Sequence, residues 1–188
     1  MPLLDLAEAK DHLRIESDDT DSDVRIQALI DTLALHLADD WNIVADRASF
    51  SWAFDDFSGL MLLPATPVQQ DTIAVTYLDP QGGQQTLTDF RVVPAFRSKH
   101  FVRLVPAIGG SWPLAAKGAA MITVTADVGF VADPESDDSA AVPANIRHAA
   151  KLLLSYFFNN SDAVISRAEV EQVPGVAGLI NSYRIWAI

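Results

Sequence analysis

The chain has no cysteine in its 188 residues. That removes disulfides and thiolate metal sites, and it leaves the compartment unreadable from redox chemistry. It also lacks any apolar run near the ~18 residues of a membrane span, and no basic segment precedes an apolar stretch of signal-peptide length. Basic residues are few: 13 Lys and Arg stand against 25 Asp and Glu, a net charge of −12. A protein that grips nucleic acid draws on clustered Lys and Arg, and these are scattered, so direct nucleic-acid recognition is excluded as a working reading. GxSxG elbows, Walker A loops, GxGxxG turns and HExxH pairs are all missing. His12, His36, His100 and His148 have no partner at zinc-ligand spacing. No catalytic, cofactor or metal residue is therefore assigned, and enzyme activity is not expected.

What is present is a globular composition, 49% hydrophobic and 20% charged, with the charge unevenly spread. Residues 1–50 carry 12 acidic and 4 basic side chains, whereas residues 141–188 carry 3 and 4. Such an asymmetry suits a protein with different faces for different neighbours, and it suits simple solubility equally.

Two helices open the chain. Asp5 predicts an N-cap, with Glu8 three residues on as a variant capping box, and Leu6, Ala9, His12 and Leu13 share a face up to Ile15. Ile26, Leu29, Ile30, Leu33, Leu37 and Trp41 keep helical spacing for a second helix. From Ser49 the period changes. Phe50, Trp52 and Phe54 alternate with small or polar residues, and 72–78, 84–93, 101–105 and 121–130 are β-branched or aromatic runs between turn residues. Asp79-Pro80-Gln81-Gly82-Gly83 predicts the turn of a hairpin over 72–88. Pro143 opens a third helix to about Asn159 with Ile146, Ala149, Ala150, Leu153, Leu154 and Phe157 on one face, and 174–184 predicts a short fourth.

The expected fold is α+β: N- and C-terminal helices packed as a small bundle, with an inserted antiparallel β block of about five or six short strands. Residues 1–188 are read as one composite domain, divided into a helical hairpin (1–47), a β-rich insertion (48–133), a linker (134–142) and C-terminal helices with an apolar tail (143–188).

Between the first two helices lies Glu16-Ser17-Asp18-Asp19-Thr20-Asp21-Ser22-Asp23, with four aspartates in its last six residues. Asp19, Asp21 and Asp23 fall at positions 1, 3 and 5 of a calcium loop. However, its turn glycine would be Val24 and its bidentate Glu would be Ile30, a residue of the helical stripe. The plainer reading is an interhelical turn whose Asp21 or Ser22 caps the second helix. Trp52 and Trp112 are candidate stacking surfaces for a ligand, with core or edge-covering roles the commoner alternative. Trp186 lies in an apolar end, Tyr183 to Ile188, that either packs back on the domain or docks on a partner.

In order along the chain, 6-LAEAKDHLRI-15, the Asp-rich turn, 26-IQALIDTLALHL-37, 75-VTYLDPQGG-83, 101-FVRLV-105, Trp112-Pro113, 122-ITVTADVGF-130, 143-PANIRHAAKLLLSYFFNN-160 and 173-VPGVAGLINSYR-184 resemble the head-tail connector (adaptor) proteins of long-tailed bacteriophages and prophages. Trp41-Asn42 stands where relatives often have an aromatic-Thr-Gly ending. The resemblance implies a structural virion protein made in the bacterial host cytoplasm and located at the head-tail interface. It implies a ring, typically of twelve copies, on the portal vertex, which extends the DNA channel and offers a platform for stopper or tail-completion proteins. DNA would pass through without specific binding, and no membrane or cofactor is involved. Within that reading, Tyr183, Arg184, Ile185, Trp186, Ala187 and Ile188 are the candidate portal-docking end. Asp18, Asp19, Asp21 and Asp23 are the candidate acidic turn facing the channel or a neighbouring subunit. The alternatives are a small ligand- or carbohydrate-binding module and another tail-completion or baseplate component.

Overall fold

The computed structural model describes residues 3–57, 61–95, 101–130, 142–160 and 173–183. The chain divides into two compact units, Met1–Asp46 with Phe130–Ile188, and Arg47–Gly129. The first unit is helical and the second is β, so the fold is α+β with the β residues inserted in sequence between helices.

In the helical unit, α1 (Leu6–Leu13) starts at Asp5, whose carboxylate accepts the Ala7 N–H at 2.9 Å. It ends at Arg14, in the left-handed region at φ 59. The helix α2 (Asp23–Trp41) ends in the same way at Asn42, φ 57, and the Ile43 N–H reaches back to the Leu37 carbonyl. Asparagine is among the few non-glycine residues that tolerate this conformation, so helix termination survives without glycine. On α3 (Ala144–Asn159), Ile146, Ala149, Ala150, Leu153, Leu154 and Phe157 are all buried, as their spacing predicts. They pack with Ile26, Ile30, Leu33, Leu37 and Trp41 of α2, and with Val176 and Ile180 of the short α4 (Val176–Ile180), in one core.

The β unit holds a four-stranded and a three-stranded antiparallel sheet. The first has the order β1 (Ala48–Phe54), β7 (Ile122–Val128), β3 (Ala74–Leu78), β4 (Gln84–Leu87), and the second β2 (Met61–Leu62), β6 (Val102–Pro106), β5 (Phe90–Pro94). The first and last strands pair, Ala48 with Val128, so the insertion begins and ends at adjacent points. Arg47 clamps this base by donating from two nitrogens to Asp127 Oδ2, at 3.0 and 2.8 Å. Phe50, Trp52 and Phe54 face Ala126, Val124 and Ile122 across the ladder, which puts the expected alternation on the buried side.

Two expectations change. The run 84–93 is not one strand, because β4 and β5 lie on either side of Asp89 in different sheets, and strand count rises to seven among the described residues. The 72–88 hairpin forms as expected, β3 against β4. Most of the linker assigned to 134–142 lies outside the described residues.

Candidate functional site

The acidic turn is organised by a residue that helical spacing does place in the core. Lys10 lies one helical turn beyond Leu6 and beside Ala9, on the inward face of α1, and is only 4% exposed. Its ammonium donates to the main-chain carbonyls of Ser17, at 3.0 Å, and Asp19, and lies 2.9 Å from Asp23 Oδ1. That carboxylate oxygen is buried without an aligned hydrogen-bond donor, so its contact with Lys10 is ionic. The loop thus wraps a cation supplied by the chain itself. The expected side-chain cap on α2 is corrected: Ser22 occupies the cap position but its hydroxyl makes no capping bond, and Asp21 contributes only its N–H, to Asp19 Oδ1. Lys10 ties the turn, which leaves Asp18, Asp19 and Asp21 exposed and Asp23 half-buried.

The predicted capping box on α1 is also replaced. Glu8 turns away from its own helix and meets α3, accepting from Arg147 and, at 2.7 Å, from Lys151. Burial pushes its carboxyl pKa up, but the hydrogen bonds and charges of Arg147 and Lys151 outweigh it and hold the group below its ordinary value. At the far end of α3, Arg25 donates to the Phe158 carbonyl at 2.7 Å and lies 4.8 Å above that ring.

The outer face of α2 carries a feature absent from the sequence reading. Val24, Ala28 and Leu35 are exposed, Val24 at 84% and Leu35 at 65%, and with Asp31 they line up at helical spacing opposite the core stripe. Beside them lies a cleft of about 450 Å³ bounded by Leu6, Asp23, Val24, Gln27, Ala28 and Asp31. In the β unit, two further large apolar side chains stand in solvent, Ile108 at 84% and Leu114 at 76%.

Trp112 stacks on Phe57 at 5.0 Å, and Trp52 on Phe50 at 6.0 Å, so each has an aromatic neighbour within the fold. Tyr183 is 5% exposed and belongs to the helical core, so in this chain its side chain is a packing residue and not a docking surface. Arg184, Ile185, Trp186, Ala187 and Ile188 lie outside the described residues, as does His100. His36 pairs with Asp40 at 3.2 Å, and His148 is exposed. Among the described residues no three His, Asp or Glu side chains are grouped to hold a metal, and no helix is long and apolar enough to cross a membrane.

No family model matches the chain, and no curated protein does. Solved structures do. The fold is that of a chain in the neck of an empty gene transfer agent particle computed with C6 symmetry, with a TM-score of 0.71 and 20% identity over 99% of this chain and 91% of that one. It is likewise similar to a chain of the virion of a native gene transfer agent particle, TM-score 0.69 and 21% identity, covering 99% and 91%. A chain from the neck of the native particle computed with C12 symmetry gives 0.62 and 21%, covering 97% and 89%. At these identities the likeness is one of fold.

Proposed function

We infer that this chain is a structural neck protein of a phage-like particle, a head-tail adaptor that assembles as a ring on the portal vertex. The observation that carries the reading is the extent of the likeness: helical unit and β insertion together align over 99% of the chain with a neck component. The sixfold and twelvefold symmetries of the necks that hold such chains support a ring. In that role the ring extends the DNA channel and gives stopper or tail-completion proteins a platform. The protein works in the virion after synthesis in the host cytoplasm, without catalysis. The turn bearing Asp18, Asp19, Asp21 and Asp23 faces the channel or a neighbouring subunit, where fixed negative charge repels DNA and lets it slide. The end of the chain, 184–188, docks on the portal.

Electron microscopy of the chain mixed with a portal protein from the same genome tests the reading. Added ring density on the portal vertex is expected, and a bare portal at saturating protein would overturn it. Deleting residues 185–188 should then abolish portal binding while the helical unit keeps its melting temperature. Unchanged binding would remove the docking role.

A further inference from the structure

Two unpartnered apolar features lie in different units of the chain, and the charges of their surroundings are opposite in sign. One is the stripe on α2 with its cleft, a trough lined by the apolar Leu6, Val24 and Ala28 and by Asp23, Gln27 and Asp31. The other is a tight turn after β6, in which the Gly110 N–H bonds the Ala107 carbonyl at 2.9 Å and Gly109 adopts φ 75. That geometry places Ile108 at the apex, 84% exposed. A β-branched side chain fixed on a hydrogen-bonded turn has little rotamer entropy to lose on docking, which suits an anchor.

Charge selects the occupant of the trough. Residues 90–126 contain five Lys and Arg and no Asp or Glu, in a chain whose net charge is −12. Residues 1–50, which include the trough, contain 12 acidic and 4 basic side chains. Identical chains this acidic repel one another except where such segments meet. Lys117, exposed and without an ion-pair partner among the described residues, lies on the same segment as Ile108 and Leu114. A closed ring needs head-to-tail contacts, in which every copy carries both halves of the interface.

We propose that the Ile108 turn of one copy inserts into the α2 trough of the next, with Leu114 and Lys117 facing Val24, Leu35 and Asp31. The proposal rests on the ring reading above and names the surfaces that build the ring. Because the chain has no cysteine, the double variant A28C/I108C gives an unambiguous test. Oxidised on portal-bound rings, it should yield a ladder of trimers and larger species, while A28C or I108C alone yields dimers at most. Val24→Asp and Ile108→Asp, both at exposed sites, should melt as the native chain does yet lower ring occupancy more than tenfold. If the native chain forms rings but the double variant gives no ladder, or either aspartate variant assembles normally, the contact is wrong while the ring stands. If the native chain forms no ring by electron microscopy, the ring reading falls and this contact with it.

Discussion

The helical unit and the β unit join distant parts of their sequence by different means. In the β unit the backbone does most of it: the β1–β7 ladder ties Ala48 to Val128, the Arg47–Asp127 pair adds to the same junction, and Asp79 works locally, accepting from the Gln81 and Gly83 N–H groups and from Gln85. Helix backbone bonds reach only four residues along, so nothing in them says which helix packs on which. In the helical unit that long-range information comes from apolar stripes and from ionic contacts such as Glu8 with Arg147, 139 residues apart, and Arg25 with the Phe158 carbonyl, 133 apart. Charge substitutions should therefore damage the helical unit more than the β unit, where the ladder holds the junction that Arg47 and Asp127 reinforce.

The sharpest way to break that contrast is Lys10→Met. Methionine fills a similar volume but strands a half-buried carboxylate and two carbonyls, and opening a buried ion pair from one side costs about 3–5 kcal/mol. Urea denaturation followed at Trp41, which is 2% exposed in the helical core, measures it. A loss below about 1 kcal/mol would mean that the turn's own Asx and main-chain bonds hold it without the ammonium.

Next in size is Glu8→Gln. Glu8 is partly exposed and bridges two cations, so its loss should cost about 1–2 kcal/mol. The pH dependence has a defined sign. The folded pKa lies below the ordinary value of 4.5, so on acidification the unfolded chain takes up this proton first. The contribution is complete above about pH 4.5, and is lost as pH falls through the folded value. Melting the native chain and the Gln variant across that window should show the native chain losing more stability. Equal losses would mean that other carboxylates govern acid unfolding.

Legibility followed the same physical divide. Stripes that a helix buries repeat in sequence, so all six apolar positions assigned to α3 are buried and five of the six on α2 are. Which sheet a strand joins leaves no periodic trace, and β4 and β5 were inseparable in sequence because Asp89 marks a turn without saying where the chain goes next. Lys10 was legible in principle, since it falls among Leu6, Ala9 and Leu13 on the inward face. A charge in an apolar stripe reads as a snorkelling side chain until the partners that bury it are seen. The outer stripe of Val24, Ala28 and Leu35 was hidden by the stronger one opposite it. Buried Tyr183 shows the limit of reading an apolar end as a surface: packing on α3 and α4 leaves no mark on the tail's own residues.

In the β unit the corresponding weak point is backbone conformation. Gly82 sits at φ 81 in the Asp79 turn with no atom near the place a Cβ would occupy. Gly82→Ala therefore costs only the left-handed strain, about 1 kcal/mol, and should lower the β unit's stability without touching the helical unit. A shift seen at Trp41 instead would show that the two units unfold together. The acid response of this turn runs in the same direction as that of Glu8: the hydrogen bond from Gln85, then those from Gly83 and Gln81, hold the Asp79 carboxyl below its ordinary value.

The smallest expected effect concerns calcium. A loop that bound calcium with a dissociation constant near 10 μM would gain about 2.7 kcal/mol at 1 mM by mass action. In this turn the Ser17 and Asp19 carbonyls already accept from the Lys10 ammonium, which also neutralises Asp23. A divalent ion would have to share the site with that ammonium or displace it into an apolar core. The expected stabilisation at 1 mM is below about 0.3 kcal/mol, and a shift above about 1 kcal/mol would show that the ammonium yields its place. Repeating the titration on Lys10→Met separates charge balance from loop geometry. With the ammonium removed, carbonyls and carboxylates face one another unneutralised. If calcium then restores part of the lost stability to the variant alone, the cation in the turn matters for its charge and the loop is indifferent to its source. If it restores none, the turn depends on the directed hydrogen bonds that an ammonium makes and a metal ion does not.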